Sequence, residues 1–185
     1  MAGELYRVTM PEVVNVRLAG KFKPWVSAKD VILELLNRFD VKWGRDKVLE
    51  YTGPGLKELT VPSRGTIANM GTELGATASV FPSDALTKQF LTGQGRGKDF
   101  KALSPDSDAK YDDTVDVDLG DLEPLIACPS SPDNVKPVSE VAGTEVSQVA
   151  VGSSVNSSFR DLSIVAHALD GKYIAPGISV AVSPG

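Results

Sequence analysis

Hydrophobic and polar residues alternate over residues 13–19 (VVNVRLA), and this pattern predicts a half-buried β-strand that Gly20 ends. Ser27 then precedes the stretch AKDVILELLNRF, with Asp30 three residues after that serine. Because this spacing is typical of a capping box, we expect a helix over residues 28–39. The buried face of that helix should carry the apolar residues of its repeat, Val31, Ile32, Leu35, Leu36 and Phe39.

Further patterns along the chain predict short strands and helices in alternation. They are a strand over 48–51, a turn over 52–55, a small-residue helix over 66–74, an extended segment over 76–81, a helix over 83–91 that Pro82 or Ser83 starts, and a strand over 114–119. Residues 128–136 (CPSSPDNVK) are rich in proline, serine and asparagine, which predicts an irregular connection. A domain boundary is therefore expected between residues 125 and 145.

The C-terminal part predicts a βαβ unit. A strand over 147–152 is followed by the polar loop SSVNSS, a helix over 159–169 that Gly171 ends, and a strand over 178–182. Parallel strands joined by a helix, together with the alternation before them, indicate the α/β class.

Composition and charge narrow the class of partner. The chain has 185 residues, a net charge of −5 and scattered basic residues, which argues against nucleic acid as a partner. Much of the acidity lies in residues 106–123, which we interpret as a solvated connection rather than a cation site. With no apolar run long enough to span a bilayer and no signal-peptide pattern, we expect a cytoplasmic protein without a membrane partner.

Single copies of cysteine and histidine limit the chemistry further. Cys128 alone allows neither an internal disulfide nor an all-cysteine metal site, and nothing basic adjoins it, so we expect a structural role. His167 lies about two helical turns beyond Ser154, too far to activate it, which makes a serine hydrolase a poor hypothesis. The glycine-rich stretch 92–97 (TGQGRG) lacks a preceding buried strand and is interpreted as a plain loop.

Two polar groups stand out among small residues in TIANMGTELGATASVFPSD (66–84). Asn69 and Glu73 are four residues apart, so on the predicted helix they would share one face beside Gly65 and Thr66. Glu73 could lie buried in a small pocket suited to proton exchange with a substrate or water, or it could simply be tied to neighbouring backbone amides.

The loop of residues 152–158 (GSSVNSS) joins a predicted strand to a predicted helix. Free backbone amides and the helix dipole favour anions at such a position, and ligands of open α/β sheets bind at the carboxyl ends of strands. A carboxylate is therefore a candidate ligand of this loop.

Four collinear blocks carry a family resemblance. KPWVSAKDVILELL (23–36), the stretch from LEYTGPG to VFPSD (49–84), LEPLIACPSSPDNVKPVSEV (122–141) and AVGSSVNSSFRDL (150–162) resemble the aconitase and isopropylmalate dehydratase large-subunit superfamily, most closely bacterial-type aconitases. The resemblance implies a three-layer α/β/α fold with a mostly parallel sheet. It also implies a second aconitase-like domain over 1–125, a linker over 126–145 and the opening βαβ of the third domain over 146–185, so that the chain is expected to be an internal fragment.

What the resemblance implies for function is a hydro-lyase that isomerises citrate and isocitrate through aconitate. Such enzymes use a four-iron four-sulfur cluster whose open iron acts as a Lewis acid toward a tricarboxylate. By motif match, Glu73 would be the active-site glutamate and Asn69 the asparagine that contacts the cluster. The cluster and substrate loop would comprise Ser153, Ser154, Asn156 and Ser157.

The chain departs from the family at the cluster itself. Ser154 stands where the family has the first cluster cysteine, the later C-x-x-C pair has no counterpart, and Ser130 replaces a common histidine. Because thiolates rather than alcohols hold such clusters, we expect no metal ligand and no cofactor in this chain, and no activity of the chain alone. The alternative is a scaffold or binding module that associates with the missing domains or with itself. Whether the parent acts on citrate, homocitrate or isopropylmalate stays open.

Overall fold

A computed structural model describes residue 3, residue 5 and residues 9–184. Its strands are β1 (Glu12–Ala19), β2 (Lys47–Thr52), β3 (Ala78–Val80), β4 (Asp113–Asp118), β5 (Leu125–Ala127), β6 (Val135–Pro137), β7 (Gln148–Val151) and β8 (Ser179–Val182). Its α-helices are α1 (Ala28–Arg38), α2 (Val61–Met70), α3 (Ala85–Gly93), α4 (Ser153–Asn156) and α5 (Phe159–Leu169). Within the described residues, no helix combines the length and the apolar character needed to cross a membrane.

A four-stranded parallel sheet forms the centre of the molecule. Its strand order is β3-β2-β1-β4, so β1 pairs with β2 on one side and with β4 on the other. The predicted alternation of β1 is observed, since Val14, Val16 and Leu18 are fully buried. The mixed α/β class with a mostly parallel sheet is therefore confirmed.

Helix α1 forms much as the sequence predicts. Val31, Ile32, Leu35 and Leu36 are buried, and the Asp30 carboxylate accepts a hydrogen bond of 2.7 Å from the backbone N–H of Ser27. Phe39 was expected on the buried face, but it follows the last helical residue and is 36% exposed. Its ring stacks on Trp43 with the ring centroids 4.2 Å apart, so it packs beside the core rather than within it.

The boundaries of the next two helices differ from the prediction. Helix α2 begins at Val61 rather than at residue 66, because the Thr60 hydroxyl accepts from the Ser63 N–H (3.3 Å) and Pro62 fits the first turn. Helix α3 begins after Asp84, whose carboxylate accepts from the next amides and so acts as the cap in place of Ser83.

The segment predicted as an irregular connection contains an antiparallel hairpin. Strands β5 and β6 flank residues 128–134, and the Cys128 N–H donates to the Asn134 carbonyl at 2.8 Å. The hairpin packs on α1, where the backbone N–H of Leu125 donates to Asp30 Oδ1 at 2.8 Å. The sequence did not predict this hairpin, because three residues are too few to show the alternation of hydrophobic and polar positions that marks a strand.

The C-terminal part forms the predicted βαβ unit, with β7 and β8 parallel and α5 between them. The loop SSVNSS is shorter than expected, because residues 153–156 form the single turn α4 and Ser158 caps α5. Helix α5 has no buried residue, so this unit lies largely in solvent.

Candidate functional site

Glu73 lies on a tight turn rather than on the predicted helix. Helix α2 ends at Met70, and the Glu73 N–H bonds the Met70 carbonyl (3.1 Å) with a three-residue spacing. Gly75 has φ +77°, which favours glycine, and a Cβ on Gly71 would approach Ser79 Oγ to 2.6 Å. The two glycines therefore set the turn, and Asn69 and Glu73 do not share a helical face.

Neither predicted catalytic side chain is fully buried. Asn69 is exposed and Glu73 is half-buried, so the residues that the structure describes do not enclose Glu73 in a pocket. The Thr72 hydroxyl lies 2.8 Å from the Asn69 carbonyl and 2.9 Å from Glu73 Oε2. Since a hydroxyl has one hydrogen, it donates to one of these oxygens at a time.

The loop from Ser153 to Ser157 is closed by a hydrogen bond between its first and last residues. Ser153 has φ +74°, and the Ser157 hydroxyl donates to the Ser153 carbonyl. Ser157 is 5% exposed, and Val155 is partly buried against the hydrophobic core. The loop thus exposes Ser153 and Ser154 and buries Ser157, and its single turn α4 packs against α2.

The structure brings the predicted residues of α2 and of this loop together. Asn69 Nδ2 donates to Ser154 Oγ at 3.2 Å, across 85 residues of sequence. Asn156 contacts Lys29 in the first turn of α1, with Nζ 3.3 Å from the amide oxygen when the amide nitrogen donates to the Val155 carbonyl. Asn69, Ser154 and Asn156 therefore belong to one surface.

A cleft of about 820 Å³ adjoins this surface, between α1, the end of α2 and the hairpin loop. Glu73 and Lys29 bring opposite charges to its wall, and Ser130, Cys128 and Val155 also line it. The volume lies in the range of small-molecule sites. The cleft is open, and Asp30 of α1 also lines it beside Lys29.

The donor set does not fit an iron–sulfur cluster. Ser154 offers a hydroxyl where a thiolate would be needed, and that hydroxyl already accepts from Asn69. Among the residues that the structure describes, no group of three or more His, Cys, Asp or Glu side chains could hold a metal ion. We therefore derive no chemical step through such a cluster.

The anion site expected at the start of α5 already holds a carboxylate of the chain. Asp161 Oδ2 accepts from the Ser158 N–H (3.1 Å) and the Ser158 hydroxyl (2.6 Å). The Ser158 hydroxyl in turn accepts from the Asp161 N–H at 3.3 Å. This capping box satisfies donors that a ligand carboxylate would otherwise use.

Two charged residues with long-range contacts were not predicted from the sequence, Lys29 at the cleft and Arg64 on the buried side of α2. Lys29 places a cation at the N-terminus of α1, where the helix dipole disfavours it, and that unfavourable position was the available signal. Arg64 is 5% exposed and bonds three backbone carbonyls as well as Asp84. Nothing local in the sequence indicates that partner set.

The remaining candidate residues have ordinary environments. His167 is exposed, and its Nδ1 lies 2.7 Å from the Ser163 carbonyl of the same helix. Residues 92–97 contain the end of α3 at Gly93, where the Arg96 N–H bonds the Leu91 carbonyl, and they lead into a short 3-10 turn over Gly97–Asp99. Cys128 is a free, half-buried thiol in the cleft wall.

Comparisons with known proteins agree over the whole chain. The family model described as the aconitase family (aconitate hydratase) matches residues 1–185. The 3-isopropylmalate dehydratase large subunit 2 of Archaeoglobus fulgidus is 40% identical over 175 residues, covering 95% of this chain and 42% of that protein. The 3-isopropylmalate dehydratase large subunit of Moorella thermoacetica is 35% identical, and the match covers 99% of this chain and 43% of that protein. The mitochondrial aconitate hydratase of Saccharomyces cerevisiae is 40% identical, and the match covers 88% of this chain and 23% of that protein. The chain spans less than half the length of each.

Proposed function

The chain belongs to the aconitase family, and from this relationship we propose that it derives from a hydro-lyase that removes and re-adds water on a hydroxylated di- or tricarboxylate. Citrate and isocitrate, interconverted through aconitate, are the substrates we propose first. Isopropylmalate is the alternative, since two of the relatives compared above are named 3-isopropylmalate dehydratase large subunits. In this proposal residues 1–125 are a second domain, 126–145 a linker and 146–185 the start of a third.

We propose further that this chain alone carries no cluster and has no hydro-lyase activity. The observation that supports this is the hydrogen bond of 3.2 Å from Asn69 Nδ2 to Ser154 Oγ, which joins two positions that would both face the cluster. A serine hydroxyl stays protonated at neutral pH and is a poor ligand of iron. Glu73 and Asn69 are the residues we assign to the former catalytic site.

Anaerobic reconstitution with ferrous iron and sulfide tests the proposal. We expect the desalted protein to retain no stoichiometric iron, to show no visible iron–sulfur absorbance and to hydrate neither cis-aconitate nor isopropylmaleate. The matched control is Ser154→Cys, which restores one thiolate only and should also fail to hold a cluster. Stoichiometric iron in the unmodified chain, with or without turnover, would show the proposal to be wrong.

A second candidate function is a scaffold or binding module, and the exposed apolar surface of the C-terminal unit favours it. Phe159 is 89% exposed and Tyr173 99%, and the two-stranded parallel sheet β7–β8 has no covering on much of its surface. Parallel sheets are normally buried on both faces. A groove of about 530 Å³ between Trp25 and α5 (Arg160, Ile164) adds to this surface.

Light scattering after size-exclusion chromatography tests this second function. If the surface drives self-association, the measured mass should exceed one chain at high concentration and fall on dilution. Phe159→Ser should then weaken association, whereas the exposed polar substitution Lys110→Ser should not. A strictly monomeric protein at every concentration would count against self-association.

A further inference from the structure

The loop from Ser153 to Ser157 contacts the rest of the molecule through Ser154, Val155 and Asn156. Val155 packs against the hydrophobic core, Asn69 of α2 bonds Ser154, and Lys29 of α1 contacts Asn156. The two hydrogen-bonded contacts join residues that lie 85 and 127 positions apart in sequence. The position of the loop therefore depends on long-range side-chain contacts rather than on local turn geometry alone.

Lys29 is placed where a structural role in its own helix would be unfavourable. It lies in the first turn of α1, at the positive end of the helix dipole, and within the described residues no ion pair engages its ammonium group. Its side chain is half-buried and lines the cleft beside Ser27. The ammonium group at this position donates a hydrogen bond to the Asn156 amide oxygen, with 3.3 Å between nitrogen and oxygen.

We propose that Lys29 is a positioning residue that fixes the loop of Ser153 to Ser157, with Asn69 as the second polar anchor. Two polar contacts on either side of the inserted Val155 determine both the depth and the rotation of the α4 turn. The role given to the loop rests on the proposed function, but the anchoring itself needs no cluster. Lys29 would act through Asn156 and would not touch a substrate.

Hydrogen–deuterium exchange of the iron-free protein tests this role. Lys29→Met keeps the aliphatic stem and removes the charge, and we expect the amides of residues 154–158 to exchange about tenfold faster, since a charged hydrogen bond is lost. Lys29→Arg should restore most of the protection. Lys23→Met, at an exposed lysine nearby, is the matched control and should leave the loop unchanged.

A second variant approaches the same contact from the other side. Asn156→Ala should accelerate exchange in the same segment, and adding Lys29→Met to it should have little further effect, because both remove one interaction. Amides of β1 should keep their protection in every variant. Equal loop exchange in Lys29→Met and Lys23→Met, or fully additive effects of the two variants, would overturn the proposal.

The outcome is separable from that of the cluster proposal. Iron content and absorbance are measured on the same samples, and retained iron would contradict the cluster-free state whatever the loop does. Slow exchange of the loop in Lys29→Met would contradict the positioning role even in a protein that holds no iron.

Discussion

The buried Arg64 side chain makes four hydrogen bonds. Its guanidinium group donates to the carbonyls of Leu59, Leu56 and Pro82 and to Asp84 Oδ2 at 2.6 Å. A planar fork with five donors suits such a set, and lysine could not replace it. Partial burial opposes ionisation of Asp84, but the hydrogen bonds and charge of Arg64 and the amides of α3 outweigh it and lower the pKa of that carboxyl.

At the residue scale, Asp84→Asn should destabilise the protein by about 2 kcal/mol. Asparagine retains the ability to cap α3, so the loss reflects mainly the charge that faces the buried Arg64. Chemical denaturation at neutral pH measures it. Asp99→Asn removes the exposed pair with Arg96 and, as a control, should change stability by less than about 0.5 kcal/mol.

The same pair predicts a pH dependence with a definite sign. Because the pKa of Asp84 is lower in the folded than in the unfolded state, its stabilisation is complete above the unfolded pKa of about 3.9 and is lost as pH falls through the folded value. The stability difference between the wild-type chain and Asp84→Asn should therefore be constant near pH 6 and shrink below about pH 4. A difference that is unchanged at about pH 2.5 would contradict this assignment.

At the scale of elements, what the sequence could predict was local. The alternation of β1 and the Ser27–Asp30 spacing of α1 depend on neighbouring residues, and both predictions are confirmed. The predicted start of α2 at residue 66 was wrong. Thr60 and Pro62 signal the observed start at Val61, whereas the prediction rested on the small residues that follow them. The helix does not continue to Glu73 because the close approach of Gly71 to Ser79, a tertiary contact, sets the turn.

The contact between α1 and the β5–β6 hairpin is the clearest case of what sequence could not give. Asp30 was predicted to cap α1, and it does so with one oxygen, but its other oxygen accepts from the Leu125 N–H 95 residues away. Likewise, Asn69 and Ser154 were named from motifs, and only the fold places them 3.2 Å apart. Lys29 could not be predicted as a contact of the loop, because its partner Asn156 lies 127 residues away in sequence.

The double role of Asp30 leads to a prediction. Asp30→Ala should destabilise the protein by about 2–3 kcal/mol, because it removes a helix cap and leaves the Leu125 N–H without its acceptor. Asp40→Ala, at an exposed carboxylate beyond the end of α1, should cost well under 1 kcal/mol. Thermal and denaturant unfolding of both variants measure the difference, and equal losses would contradict a stabilising role of Asp30 through the cap and the Leu125 contact together.

At the scale of the molecule, the hydrophobic core is confined to one part of the chain. Every buried hydrophobic residue of the described structure lies between Val14 and Leu122, whereas β7, α5 and β8 expose most of their apolar side chains. Burial of apolar surface is the main favourable term in folding. Stability should therefore be distributed unevenly between the two parts.

Native-state hydrogen exchange measures that distribution. We expect the amides of β1 to be protected at the level of global unfolding and those of β7 and β8 to exchange at least about 100-fold faster through local opening. Raising the protein concentration is the control, since association of the exposed surface would selectively slow β7 and β8. Equal protection of the two sheets in a dilute monomer would contradict this expectation.

The strand order of the central sheet has a consequence during synthesis. One neighbour of β1, β2, begins about 30 residues after β1 ends, but the other neighbour, β4, begins only at Asp113. Until the ribosome has released that segment, one edge of β1, the strand that buries Val14, Val16 and Leu18, has no native pairing, and such an edge can join that of another nascent chain. The interval between translating residues 52 and 113 is thus when this polypeptide most needs a chaperone.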